Sequence, residues 1–170
     1  PFCDGVGAGG SYDTWAAFVA AYAGEAADRA AEHGLFDRED IQLFRRAFSE
    51  NTAVLDEIKT PHMVHTDLWQ GNVLLKKDDD GYSVAAIIDL DRTIFGDVQW
   101  DLSCPWMLNE AFFKGYGSLP PKTPAAEQRE RLYKMLCGFF ESYVWLIEYD
   151  DKATFESTKE NTLSLLRSYR

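Results

Sequence analysis

The sequence has 170 residues, of which 46% are hydrophobic and 26% are charged, and its formal net charge is −11. This composition is typical of a folded globular domain and excludes an intrinsically disordered chain. The acidic total argues against a nucleic-acid partner, which would need a basic surface, and it is compatible with a small cationic substrate.

The sequence carries no signal for a membrane or for secretion. No apolar run approaches the roughly 20 residues of a membrane-spanning helix, and no basic segment is followed by an apolar leader. The three cysteines, Cys3, Cys104 and Cys137, are far apart and match neither a metal-binding spacing nor a disulfide framework. We therefore predict a cytoplasmic protein with reduced thiols and no membrane partner.

Two helices are predicted in the first third of the chain. Residues 1–10 show no pattern of a regular element, and we interpret them as the remnant of a linker. Ser11 can cap an alanine-rich helix that stops near Gly34. Asp37 can cap a second helix, whose apolar residues fall on one face and which ends before Pro61.

A short β-rich region follows these helices. The segment "HMVH" leads into a polar loop, and "NVLLKK" then predicts a strand. Gly81 is available for a positive φ in the turn after this strand, so the two flanking strands are expected to form a hairpin. The return strand, "YSVAAIID", stops at Asp89.

The rest of the chain is predicted to be mainly helical. A short helix is broken at Pro105, Asn109 can cap another, and two long amphipathic helices span residues 124–149 and 153–169. The predicted fold class is therefore α+β and mainly α, with helices around a small β-hairpin that carries polar loops. No repeat or low-complexity tract interrupts residues 11–170, which we treat as one domain.

The densest polar stretch between apolar segments is "HTDLWQGN", residues 65–72. Transfer of a phosphoryl group needs a carboxylate that orients the acceptor hydroxyl and takes its proton, and Asp67 suits this task. It also needs oxygen ligands for Mg²⁺, which Asn72 and Asp89 can supply without overcharging the site. The same spacing of base, amide and later aspartate occurs in the general template for kinases.

These motifs resemble those of the aminoglycoside phosphotransferase and choline kinase-like enzymes, which are small-molecule kinases with a protein-kinase-like fold. The H-x-D-x-x-x-x-N loop, the "IDLD" segment and the following "GDVQWDL" segment occur in the order and at the spacing of that family. The resemblance implies that Asp67 is the catalytic base and that Asn72 and Asp89 bind Mg²⁺. It also implies ATP or GTP as phosphate donor and a small hydroxyl-bearing acceptor, such as an aminoglycoside-like or choline-like cation.

The same resemblance assigns three supporting residues. His65 corresponds to the histidine that packs behind the catalytic loop, and Asp101 to the carboxylate that braces this loop from below. A charge at a helix N-terminus is an equal alternative for Asp101. Asp91 corresponds to a second acid that lies near the metal or behind its ligands.

Two other interpretations of these residues exist. The segment "IIDLDRT" also matches the opening motif of haloacid dehalogenase-like phosphatases, in which Asp89 would attack phosphorus and Asp91 would act as acid and base. That family has a doubly wound α/β fold, and no alternation of strands and helices is predicted after residue 95. His62, His65 and Asp67 can also be regarded as a zinc cluster, although no fourth ligand is evident.

A kinase of this type needs an N-terminal lobe with a phosphate-covering loop and a strand lysine. "GVGAGG" has glycines at the right spacing, but no strand is predicted before it, and the first lysine is Lys59. We therefore expect the chain to be a C-terminal lobe without its nucleotide-binding lobe, and to be nearly inactive alone. A non-catalytic binding domain with a kinase-like fold is the alternative.

The acceptor is the least determined feature of the sequence. Residues 141–160 contain six acids and two lysines, which would suit an amino sugar or an amino alcohol, or would simply form a solvated face. The aromatic residues near the motifs are expected to pack in the core or between lobes, not to form a substrate cage: Trp69, Trp106, Phe112, Phe113, Trp145 and Tyr149.

Overall fold

The computed structural model of the chain describes residues 2–4, 10–79, 81–104 and 109–169. The described part is mainly helical and carries two small antiparallel sheets, as the sequence predicted. The α-helices are α1 (Trp15–Glu32), α2 (Arg38–Ser49), α3 (Thr52–Leu55), α4 (Gln99–Ser103), α5 (Glu110–Tyr116), α6 (Pro124–Tyr143) and α7 (Lys152–Arg167). A π-helical segment, Val144–Glu148, continues α6.

Most predicted helix ends agree with the structure. Gly34 has φ +62° just after α1, and the Asn109 side chain accepts a hydrogen bond from the Phe112 N–H at the start of α5. The cap of α1 is Thr14, not Ser11, because Ser11 belongs to a strand. The second helix also ends earlier than predicted, at Ser49, and α3 follows as a separate turn.

The larger sheet has the strand order β2-β1-β6-β3. Its strands are β1 (Phe2–Asp4), β2 (Ser11–Tyr12), β3 (His62–Val64) and β6 (Ile94–Gly96). The expectation that no regular element precedes the first helix was wrong for β1, which pairs with β6 at Cys3 and Phe95. Strands of three residues are too short for a periodic pattern, and their partners lie far along the chain.

The smaller sheet is the predicted hairpin. It consists of β4 (Val73–Asp78) and β5 (Gly81–Ile87), with a register shift between Leu74 and Leu75. Gly81 has φ +133°, as expected for this turn. Two antiparallel strands do not form the parallel sheet that a doubly wound phosphatase requires, so the structure contradicts that alternative.

Some predicted features lie outside the described residues. These are most of the glycine motif (residues 5–9), Pro105 and Trp106. Among the described helices, none is long and apolar enough to cross a bilayer.

The hydrophobic core lies between α1, α2 and α6. The Phe139 ring stacks on Phe36 and Phe44, with centroid separations of 4.1 and 3.7 Å. Trp15, also fully buried, donates a hydrogen bond from its indole nitrogen to the Tyr133 hydroxyl at 2.7 Å. This core is the rigid support on which β3 and β6 carry the polar loops.

All three cysteines are free thiols, in agreement with the sequence-based expectation. Cys104 and Cys137 are both buried, and their sulfur atoms lie 3.1 Å apart between α4 and α6. The hydrogen bond with Cys137, together with burial, raises the pKa of Cys104 well above its usual value.

Gly96 is needed for the contact between β6 and the core. A Cβ atom built there would lie 2.1 Å from the fully buried Trp15 ring, which has no space to move. We expect Gly96→Ala to lower the free energy of unfolding by about 1–3 kcal/mol, as overpacked cores do. Urea denaturation measures this, and Gly24→Ala is the matched control. Gly24 lies in α1 with only the Arg45 side chain 4.0 Å away, so its replacement should be neutral or slightly stabilising. Equal effects of the two substitutions would contradict the packing argument.

Candidate active site

The polar loop of residues 65–72 begins where β3 ends and is held by Asp101 of α4. The Asp101 carboxylate accepts hydrogen bonds from the backbone N–H groups of His65 (2.9 Å) and Thr66 (2.7 Å). Thr66 has φ +65°, a left-handed conformation that a residue other than glycine keeps only when its surroundings hold it. Burial raises the pKa of Asp101, and the two backbone hydrogen bonds oppose this rise. Asp101 therefore lies beneath the loop and is hydrogen-bonded to its backbone.

His65 is buried and joins this loop to the end of the hairpin. Its Nε2 donates to the backbone oxygen of Ile88 at 2.9 Å, and its Nδ1 accepts from the Asp67 N–H at 3.3 Å. Both ring nitrogens are thus engaged with the chain, and His62 is exposed in β3. Across the described ranges, no three His, Cys, Asp or Glu side chains converge to bind a metal, which disfavours the zinc cluster.

Asn72 ends a 3₁₀ turn (Gln70–Asn72) and is buried directly behind Asp67. Its Nδ2 donates to the Asp67 backbone oxygen at 2.8 Å and approaches the Asp67 Oδ2 at 3.4 Å. The Ile88 N–H donates to the Asn72 backbone oxygen at 3.0 Å, which extends the β4–β5 pairing to this point. Asn72 and Asp89 therefore leave the same end of the hairpin.

Asp89 has φ +65°, so the chain bends sharply just after β5. Thr66 secures the segment that follows, because its Oγ1 donates to the backbone oxygen of Arg92 at 2.8 Å. The bend turns Asp89 and Asp91 toward the side on which Asp67 lies, and all three side chains line one cleft.

This cleft has a volume of about 870 Å³ and two unlike walls. The wall formed by the polar loop and the segment after β5 carries four of the predicted site residues, namely Asp67, Asn72, Asp89 and Asp91. The helical wall is formed by α6, the π-helical segment and the start of α7, and it includes Phe140, Glu141, Trp145, Glu148 and Tyr149. The two remaining predicted residues, His65 and Asp101, hold the loop from behind.

Several lining residues were missed or misjudged from the sequence. Trp69, Trp145 and Tyr149 were expected to pack in the core or between lobes. All three line the cleft, and Tyr149 is 67% exposed, but Trp145 also packs against the core, as expected. Trp69 also lies over Gly71, where a Cβ atom would meet its ring at 2.3 Å. Phe112 and Phe113 are half-buried and lie outside the main core cluster. Exposure of an aromatic ring depends on which helices pack together, which sequence spacing does not reveal.

Glu141 is the most unusual titratable residue of the helical wall. Burial raises its pKa to about 7, and an interaction with the Trp145 side chain partly opposes the rise. The spacing of Glu141 and Trp145, one helical turn apart, is the signal that places both on one face. The sequence interpretation noted Glu141 only as one of six acids.

Asp97 belongs to the "GDVQWDL" segment singled out in the sequence, but no role was predicted for it. Its Oδ2 accepts hydrogen bonds from the Arg129 Nε (3.1 Å) and the Tyr133 hydroxyl (2.8 Å), and its Oδ1 accepts from the Gln99 N–H at 3.0 Å. Both members of the Asp97–Arg129 ion pair are buried. Asp97 thus connects the end of β6 to α6, which carries the helical wall of the cleft.

A comparison with protein families gives one match over most of the chain. The model of the fructosamine kinase family matches residues 12–153. The chain belongs to this family. The resemblance to aminoglycoside phosphotransferase and choline kinase-like enzymes is therefore confirmed, and fructosamine kinases are the branch in question.

Two curated members of similar sequence are a candidate ketoamine kinase of Synechocystis sp. and the ketosamine-3-kinase of Mus musculus. The first is 32% identical over 123 residues, which are 64% of this chain and 39% of the relative. The second is 29% identical over 103 residues, which are 58% of this chain and 31% of the relative. The match to this chain thus spans well under half the length of each of these two curated relatives.

Solved structures confirm the kinase-like fold. A candidate fructosamine-3-kinase from Haemophilus somnus 129PT superposes with a TM-score of 0.65 at 20% identity, covering 92% of this chain and 49% of that one. Aminoglycoside phosphotransferase APH(4)-Ia superposes with a TM-score of 0.60 at 23% identity, covering 94% of this chain and 54% of that one. A ternary complex of the same phosphotransferase contains AMP-PNP and hygromycin B.

Proposed function

We propose that this chain is the catalytic lobe of a ketosamine kinase, which transfers the γ-phosphoryl group of ATP or GTP to a hydroxyl group of a ketosamine. The arrangement of Asp67, Asn72 and Asp89 at one cleft carries the proposal. Family membership favours a ketosamine over the aminoglycoside or choline acceptors that the motifs alone allowed. A protein of this kind would work in the cytoplasm.

In this proposal, Asp67 is the general base. Its carboxylate accepts the proton of the acceptor hydroxyl while the hydroxyl oxygen forms its bond to the γ-phosphorus and the bond to the β–γ bridging oxygen breaks. The nucleoside diphosphate then leaves. The hydrogen bonds of the Asp67 backbone to His65 and Asn72 keep the carboxylate in position for this step.

Asn72 and Asp89 would hold Mg²⁺, and their chemistry fits this ion. One carboxylate and one amide oxygen are hard ligands of the kind that Mg²⁺ selects. The Asn72 amide nitrogen donates hydrogen bonds to Asp67, so the Oδ1 atom is the ligand that Asn72 can offer to a cation. When bound, Mg²⁺ supplies positive charge that offsets the charge of the phosphate oxygens.

The proposal also includes an N-terminal, nucleotide-binding lobe that packs against the lobe that the structure describes. The middle of the hairpin is apolar yet exposed, with the paired residues Leu75 and Val84 each 60% accessible. Exposed apolar surface of this kind marks an interaction site. The hairpin leads into Asp89, and the relatives are longer than this chain. Both observations support coverage of this surface by an N-terminal lobe that carries the phosphate loop and a lysine.

A comparison of the 170-residue chain with the intact protein, meaning its full natural length, tests the proposed function. With a ketosamine, ATP and Mg²⁺, we expect the intact protein to release ADP and form a sugar phosphate, visible by ³¹P NMR. The chain alone should be slower by about 100-fold or more, because nothing positions the triphosphate.

Two outcomes would contradict this proposal. Full turnover by the 170-residue chain would show that no second lobe is required. Binding of ketosamines by the intact protein without any turnover would favour the non-catalytic alternative.

A further inference from the structure

The helical wall of the cleft presents a pattern of side chains that phosphoryl transfer itself does not use. Glu141 lies in the last turn of α6, and Trp145 and Glu148 lie in the π-helical segment that follows. The wider turn of this segment is closed by a hydrogen bond from the Tyr149 N–H to the Val144 oxygen at 3.0 Å. Single π-helical turns of this type are frequent at functional sites.

The helical wall carries three aromatic residues, and two of them, Trp145 and Tyr149, follow Glu141 at spacings of four and eight residues. The Trp145 and Tyr149 rings have centroids 5.5 Å apart and are inclined by 40°, so they form two adjacent faces rather than a closed stack. The Trp145 side chain also interacts with the Glu141 carboxylate. A carboxylate flanked by aromatic faces suits a cation that carries apolar groups, because ring faces attract positive charge.

The charges that face the cleft are strongly unbalanced. Among the residues that the structure describes, five acids line it, namely Asp67, Asp89, Asp91, Glu141 and Glu148, and one cation does, Arg92. The Arg92 guanidinium lies over the Phe140 ring at 5.0 Å. Within the described ranges, no Lys or Arg forms an ion pair with Glu141 or Glu148.

We propose that Glu141 is the specificity-determining residue that binds the protonated amine of the substrate, with Trp145 and Tyr149 as flanking aromatic faces. This inference rests on the proposed function and deepens it. A ketosamine has an amine beside a chain of hydroxyl groups, so its two ends can face the two walls of the cleft. The hydroxyl then faces Asp67, and the ammonium faces Glu141.

The burial of Glu141 agrees with this role. A carboxylate that leaves water without a cationic partner is disfavoured in its charged form, and the pKa of Glu141 is raised to about 7 accordingly. An ammonium group at the same place would restore the charged form. The site would therefore favour an amine over a neutral group of equal size, and it would repel an anionic one.

Glu141→Gln in the intact protein tests the proposal, with Glu156→Gln as the matched control. Glu156 is an exposed acid of α7 that does not line the cleft. Two substrates are compared: an N-alkyl 1-amino-1-deoxyfructose, and 1-O-methylfructose, which has a neutral ether in place of the amine. We expect Glu141→Gln to raise KM for the amine about 10- to 100-fold, the range expected for loss of a charged hydrogen bond. Neither KM for the ether nor kcat should change appreciably, and Glu156→Gln should change none of these values.

A binding measurement separates this proposal from the proposed function. Calorimetric titration of the intact protein with the same two compounds gives the amine-over-ether preference whether or not phosphate is transferred. If no ketosamine is phosphorylated but the preference exists and is lost in Glu141→Gln, the proposed function fails and the amine site stands. If the unsubstituted protein shows no preference, or if Glu141→Gln weakens both compounds equally, the amine site is overturned.

Protein stability provides the check on misfolding. The pKa of Glu141 is raised in the folded state from its ordinary value of 4.5 to about 7. The Glu141 carboxylate therefore destabilises the folded protein, and this destabilisation grows as the pH rises between these two values. Glu141→Gln removes this destabilisation and should leave the protein at least as stable at pH 8. The expected result is a variant that is stable but no longer prefers the amine. A purely structural role of Glu141 would instead give a destabilised variant that still prefers the amine.

Discussion

Asp67→Asn is expected to lower kcat for ketosamine phosphorylation by the intact protein about 10²- to 10⁴-fold, the usual contribution of a general base. The variant keeps the size of the side chain but loses its negative charge and its ability to accept a proton. The Asp67 backbone stays held by His65 and Asn72, so the geometry of the loop should survive. KM for the nucleotide should change little, because the phosphate contacts are made elsewhere. Steady-state kinetics with both substrates varied measures the two constants.

Asp91→Asn is the matched control for this experiment. Asp91 lines the same cleft and its substitution removes the same charge, but Asp91 is not the residue we assign as base. We expect a clearly smaller loss of kcat than for Asp67→Asn, with melting temperatures of both variants close to that of the unsubstituted protein. An unchanged kcat in a well-folded Asp67→Asn protein would show that the base has been assigned wrongly.

Asp97→Ala is expected to lower the free energy of unfolding by about 3–5 kcal/mol, the usual cost of removing one partner from a buried ion pair. The side chains of Asp97 and Arg129 are only 7% and 10% exposed, so water cannot replace the lost contact. The substitution also removes the acceptor of the Tyr133 hydroxyl and of the Gln99 N–H. Urea denaturation with a fitted m value measures the loss.

Glu57→Ala provides the control, because Glu57 is the other acidic partner of Arg129. Its carboxylate accepts a hydrogen bond from the Arg129 Nη1 at 2.9 Å, but its side chain is 55% exposed. An exposed pair contributes about 0–1 kcal/mol, so this variant should remain nearly as stable as the unsubstituted protein. If both variants lost similar free energies of unfolding, burial would not be the reason that Asp97 matters more than Glu57 as a partner of Arg129.

The fold was predictable wherever local sequence determines the element. The α1 stop at Gly34, the α5 cap at Asn109 and the β4–β5 turn at Gly81 each depend on residues within a few positions of one another. Strand β1 was missed because its partner, β6, is separated from it by most of the site. The start of α1 was misplaced because Ser11 pairs with Cys3 of β1, a strand that is itself held by the distant β6.

The candidate site divides along the same line. Asp67, Asn72 and Asp89 stand at a spacing that kinase chemistry requires, and the hairpin that joins Asn72 and Asp89 is a local structure. The sequence therefore predicted that these two would lie together. The opposite wall comes from helices more than 50 residues further along, and no local pattern indicates that Glu141 and Trp145 would face Asp67.

The sequence by itself determined the kinase-like fold class and the wider group of small-molecule kinases, and it suggested the three residues proposed for base and metal, because each follows from motifs of short range. The tertiary structure decided which side chains surround them. Packing of α6 against α1 and α4 brings Glu141, Trp145 and Tyr149 to the cleft, and it buries Asp97 against Arg129. Burial and long-range contact depend on how distant segments pack together. Only the folded molecule therefore reveals that Glu141 is largely buried and that the Tyr149 ring is exposed.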